Sequence, residues 1–109
     1  MMLKMIALQV LAQARGLILT GWSKGAFSRD ADMDQVELFD EEACCFCMAG
    51  AMFKVAKVEP LKAPAGFLDE LARLLGFEDQ NHMMVWNDRP ERTKNQVLRC
   101  FDQAISNLG

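Results

Sequence analysis

Tyrosine is missing from this 109-residue chain, proline occurs three times and histidine once. A single histidine cannot supply the paired imidazoles of an H-E-x-x-H zinc site. Neither a G-x-S-x-G nucleophile turn nor a P-loop occurs. No apolar run approaches the ~20 residues that a membrane-spanning helix needs. Positive charge is in deficit: 12 Lys and Arg stand against 15 Asp and Glu, for a net charge of −3. A nucleic-acid binder normally carries a basic stripe, so nucleic acid is an unsuitable partner. A basic protein or a cation remains compatible with that charge.

Disulfide spacing is lacking too. Of the four cysteines, Cys44, Cys45 and Cys47 crowd together and Cys100 stands alone. Such a pattern suits free thiols in a reducing cytoplasm better than a disulfide framework. Lys4, a short apolar run and Ala12-Gln13-Ala14 loosely imitate a signal peptide. Gln9 interrupts the run, and helical periodicity explains the same residues better. A cytoplasmic protein is therefore expected.

What is present suits one globular domain over residues 1–109. Half the chain is hydrophobic (51%) and a quarter charged (25%), which argues against disorder. Eight methionines sit mostly among other apolar residues and serve as core filler.

Periodicity predicts an all-α fold of about four helices. Leu3, Ile6, Ala7, Val10, Leu11, Ala14 and Ile18 recur at steps of three and four, so a first helix is expected over Leu3 to Thr20. Gly21 followed by Trp22 has the Gly-then-apolar form of a Schellman stop. From Gly21 to Asp40 no helical period exists. A long ordered loop is expected there, pinned by Trp22 and Phe27, with Val36 and Leu38 in a short extended piece. A second helix is predicted over Glu41 to Val58, capped by Asp40. Between Ala43 and Phe53 it carries no charge, as a helix buried in the middle of a structure would. Ala43, Cys47, Gly50 and Ala51 give it a stripe of small side chains. A third helix over Ala65 to Phe77 buries Phe67, Leu68, Leu71, Leu74 and Leu75. The last carries Val97, Leu98, Phe101, Ile105 and Leu108 on one face.

Three segments invite a functional reading. Cys44-x-x-Cys47 has the spacing of a zinc or redox pair, with Cys100 and His82 as the obvious further ligands. No second C-x-x-C exists, and a buried thiol is the simpler account. Asp30, Asp32, Asp34 and Glu41 match positions 1, 3, 5 and 12 of a calcium loop. Gln35 stands where that loop needs glycine, so an acidic solvated loop is expected. The third segment runs from His82 through Trp86-Asn87-Asp88-Arg89 to Arg92-Thr93. Thr93 to Gln96 reads as a capping box and Asp88 to Glu91 as a second cap. Asp88 and Arg92 are spaced to pair, and a buried Trp86 would anchor the loop, its indole reaching a carbonyl. A helix start also offers free N–H groups to an anion, with Arg89, Arg92 and Lys94 adding charge. Asp88 and Glu91 would oppose that anion.

Two pieces taken together resemble a family. One is Ala43-x-x-x-Cys47-x-x-Gly50-Ala51. The other is Trp86-Asn87-Asp88, Arg92-Thr93, Val97-Leu98 and Asp102-x-Ala104-Ile105, with the Gly21-Trp22 turn ahead of both. The pattern is similar to an uncharacterised family of small bacterial and phage proteins, a domain of unknown function. The resemblance covers most of the chain. It implies one helical domain of bacterial or phage origin, and it brings no activity, cofactor or catalytic residue. Cys44 and Cys45 beside Cys47 depart from its pattern.

The expected function is a non-catalytic interaction or accessory domain, with no catalytic residue, metal or cofactor. One alternative is a small-ligand or anion-binding domain using Trp86, Asn87, Asp88, Arg89, Arg92, Thr93 and His82. A thiol-based metal site or enzyme is the other. The partner would be another protein or a second copy, since a symmetric homodimer would cover whatever part of the apolar second helix one chain leaves exposed. No membrane partner is expected.

Overall fold

The computed structural model describes residues 4–109. Five α-helices appear among them: α1 Lys4–Thr20, α2 Met48–Ala56, α3 Phe67–Leu74, α4 Gln80–Asp88 and α5 Lys94–Leu108. A two-stranded antiparallel sheet joins β1 Ser28–Arg29 to β2 Cys45–Phe46. The fold is mostly helical, but a purely α fold of four helices is only approximate. Leu3, the expected start of the first helix, lies outside the described residues.

α1 follows its sequence period. Ala7, Val10, Leu11, Ala14 and Ile18 are buried, and they pack against α2 and α5. The inward face of α5 is Val97, Leu98, Phe101 and Ala104. Arg15 and Asp102 pair across the outer edge of that contact. Both side chains are partly exposed, so the pair contributes about 1 kcal/mol at most. Two helix ends and one loop match the sequence reading. Thr93 and Gln96 form the capping box of α5. Left-handed Gly76 (φ 98°) closes α3, with the Phe77 N–H reaching the Ala72 carbonyl. Asp30 folds its acidic loop by accepting hydrogen bonds from the N–H groups of Asp32 and Asp34.

α2 begins seven residues later than periodicity suggests, at Met48 instead of Glu41. The segment before it is claimed by tertiary hydrogen bonds. Phe46 donates its N–H to the Gly21 carbonyl and accepts from Ser23, while Cys44 and Cys47 donate to Arg29 and Phe27. A helix cannot form while these groups are spent on neighbouring chain. Asp40 therefore caps only a turn, accepting from the Glu42 N–H. The true N-cap is Cys47, whose sulfur accepts from Gly50 N–H. Ala43 leaves the stripe of small residues, since it precedes the helix.

Gly21 also departs from expectation. Its φ is not positive, so it is no Schellman residue. Its smallness serves the strand beside it, because a Cβ there would strike the Cys44 carbonyl. Gly50 serves the same purpose against the Phe27 carbonyl.

α4 was not anticipated. Only Met83 and Asn87 of this helix are buried. They are four apart, the spacing of one helical face, but one of them is polar. An apolar period therefore never develops.

Met48 to Phe53 are all buried within one chain. One chain covers this apolar stretch of α2 by itself.

Two glycines give opposite outcomes. Gly16 is exposed in the middle of α1 with open space around its Cα. Gly16→Ala should stabilise by about 0.5–1 kcal/mol through helix propensity. Gly50→Ala should destabilise by about 1–3 kcal/mol or more, since backbone must move to admit the methyl. Urea unfolding of both variants measures the contrast.

Candidate functional site

The Trp86-Asn87-Asp88 segment is the last turn of α4; Asn87 faces inward, Trp86 is half-buried and Asp88 is exposed. Asn87 is 1% exposed and makes four hydrogen bonds. Its Oδ1 accepts from the Trp22 indole at 2.9 Å and from the Met48 N–H at 3.2 Å. Its Nδ2 donates to the Ser23 carbonyl at 3.2 Å and to Asp88 Oδ1 at 2.9 Å. Two acceptor positions and two donors exhaust what a side-chain amide offers. One residue thus joins α4, the loop after α1 and the N-terminus of α2.

Asp88 extends the clamp. Its Oδ1 also accepts from the Gly25 N–H at 3.0 Å. Lys24 reinforces it from the other side, donating to the Arg89 and Pro90 carbonyls and lying 5.3 Å from the Trp22 ring centre. Asp88 is therefore not the N-cap of a following turn, and it does not pair with Arg92. Arg92 sits 3.9 Å from the Trp86 ring centre and donates to the Trp86 carbonyl and to Gln96 Oε1. Trp86 itself is half-buried against Phe77. The indole donor of the cluster comes from Trp22 instead. Arg89 is exposed.

His82 stands at the other end of α4, exposed in its first turn. Asp79 caps that helix and accepts from both the His82 N–H and its ring Nδ1. This hydrogen bond, with the charges of Asp79 and Glu78, raises the His82 pKa. The same contacts lower that of Asp79. The candidate ligand residues are therefore dispersed: His82 at the start of α4, Asn87 and Asp88 in the clamp at its end, Trp86 of the same turn against Arg92, Thr93 at the N-cap of α5, and Arg89 exposed between the two helices.

The thiols are also dispersed. Burial pushes the Cys47 thiol up to about 11. Cys100 rises to about 11 for the same reason and donates to the Leu75 carbonyl. Cys44 is exposed, 3.9 Å from the sulfur of Cys45. Its pKa is raised by desolvation and by the neighbouring Cys45, Asp30 and Glu42. Among the described residues no three His, Cys, Asp or Glu side chains converge as a metal site requires.

One concavity opens beside the clamp, and a second adjoins the first. A cleft of about 230 Å³ is lined by Phe27, Ala49, Met84, Cys47, Asn87 and Asp88, with Gly25, Ala26 and Gln35 at its loop side. A broader groove of about 980 Å³ runs along Val36 to Asp40 and Glu59 to Leu61. Phe27 and Gln35 line both. Trp22, Gly25 and the groove residues escaped the sequence reading as site elements. The Trp22–Asn87 bond spans 65 residues, and nothing local announces it.

Fold and site together define a small, compact, mostly helical protein whose main polar motif is an internal clamp. The chain belongs to a family of unknown function, DUF6197, which matches residues 2–107. No curated protein and no solved structure matches it. Among the described residues no helix is long and apolar enough to cross a membrane.

Asn87→Ala should cost about 3–5 kcal/mol, because it orphans the Trp22 indole, the Met48 N–H and the Ser23 carbonyl together. Chemical denaturation measures the loss, and a cost under about 1 kcal/mol would show that the clamp is dispensable. For the thiols, brief iodoacetamide treatment of the native protein at pH 8 should modify Cys44 and Cys45 first. Cys47 and Cys100 should react only after unfolding. Rapid native modification of Cys47, read by peptide mass spectrometry, would revive a thiol chemistry.

Proposed function

We propose that this chain is a non-catalytic protein-interaction domain. The observation that carries the reading is the groove that adjoins the cleft. Leu61 is 100% exposed there and Phe39 42%. Leaving a large side chain such as Leu wholly in water forgoes about 1.5–3 kcal/mol of burial. A partner that covers it recovers that energy. The polar residues with the strongest claim to chemistry point the same way. Asn87 and Arg92 are committed to internal hydrogen bonds, and the buried thiols stay protonated at neutral pH.

The alternative of a small-ligand domain draws on one observation, that Asn87 and Asp88 line the cleft. Asp88 would repel an anion, and Arg92 is already engaged. A neutral or cationic ligand group is the form of that reading that the charges favour.

The test is photo-crosslinking in the native cells, with a photoreactive residue at Leu61 and a control at Gln13 on the exposed side of α1. Discrete adducts from position 61 and none from position 13 support the reading. An adduct of twice the chain mass identifies a second copy as the partner. No adduct from either position overturns it.

A further inference from the structure

We propose that the cleft and the groove form one docking surface for a basic segment of a partner protein. In that segment a Lys or Arg side chain enters the cleft toward Asp88, and an apolar side chain a few residues away covers Leu61 and Phe39. The inference rests on the interaction reading and names the partner's chemistry.

Size is the first argument. The cleft holds about 230 Å³, below the roughly 300–1,000 Å³ of ordinary small-molecule pockets. It suits one long side chain better than a cofactor. Its walls fit the same occupant: Phe27, Ala49 and Met84 offer apolar surface to a methylene stem, and Asp88 offers a carboxylate to the charged head.

Continuity is the second. Phe27 and Gln35 line both concavities, so a chain leaving the cleft passes directly into the groove. There it meets Val36, Leu38, Phe39 and the fully exposed Leu61.

Charge decides the sign of the partner. The lining of the two concavities includes Asp88, Glu37, Asp40 and Glu59, and no Lys or Arg. Cations border this lining, each held by the protein's own groups, and Lys54 stands at the groove itself, 5.1 Å from the Phe39 ring centre. Lys54 donates to the Leu38 carbonyl, Arg29 to the Lys24 and Met33 carbonyls, and Lys24 to the carbonyls of Arg89 and Pro90. Lys62 pairs with Glu59 and offsets its charge, which leaves Asp88, Glu37 and Asp40 to set the sign, and Arg89 lines neither concavity. An acidic face of this kind steers a basic partner in and turns an acidic one away.

The experiment is an NMR titration of the 15N-labelled protein at physiological salt. Its probes are synthetic peptides that carry one Lys or Arg and one Leu, separated by two to six residues. Matched peptides with Glu in place of the cation are the controls. At least one cationic spacing should shift the amides of Gly25, Gln35, Phe39 and Leu61, while its Glu counterpart leaves them unmoved. Asp88→Asn, which keeps an oxygen for the Gly25 N–H, should weaken that peptide at least tenfold. Leu61→Ser, at a fully exposed position, should weaken it at least threefold without altering the fold. The proposal is overturned if no peptide shifts these amides, if Glu peptides bind as well, or if Asp88→Asn changes nothing. Crosslinks from position 61 that persist while every peptide fails would remove this inference and leave the interaction reading standing. Loss of both would remove the reading as well.

Discussion

A single buried amide holds the parts of this domain in register. Asn87 lies at the end of α4, where a helix leaves carbonyls without partners and a chain must turn. Its side chain spends every donor and acceptor it has on three separate segments. A buried amide left half-satisfied would destabilise the core, but a saturated one selects one arrangement over its neighbours. An apolar residue in that position could fill the volume. It could not specify that the Trp22 indole, the start of α2 and the Ser23 carbonyl meet there.

The other features follow from that meeting. Holding the loop after α1 against α2 brings Phe46 between Gly21 and Ser23, and these hydrogen bonds keep β2 extended. The close approach demands glycine at positions 21 and 50, where backbone carbonyls occupy the space of a Cβ. The extended strand then delays α2 until Cys47, whose sulfur caps it. The same loop, anchored by Gly25 on Asp88, forms one wall of the cleft. A structural clamp and a candidate docking surface thus share residues, and Asp88 serves the first through Oδ1 while lining the second.

Much of the helical framework was legible in the sequence. α1, α3 and α5 bury apolar residues at steps of three and four, and the start of α5 and the end of α3 use local chemistry within about a turn of chain. Thr93 with Gln96, and Gly76 with Phe77, are of that kind. The site was harder to read. Asn87 and Asp88 were picked out, but as turn and cap residues of the following helix. Arg92 was paired with the wrong neighbour. Trp22 was expected only to pin a loop, although it donates the central hydrogen bond.

The sequence alone determined which segments are apolar on one face, the Thr93–Gln96 capping box, and that negative charge predominates. Those properties depend on neighbours close in the chain and need no partner from elsewhere. Only the tertiary structure decided that Glu41 to Cys47 stays out of the helix, that α4 exists, and what Asn87 does. Each of those outcomes turns on hydrogen bonds between residues that are distant in the chain. Backbone groups spent across the fold are unavailable to a local helix, and a polar residue on a buried face erases the apolar period by which a helix is recognised.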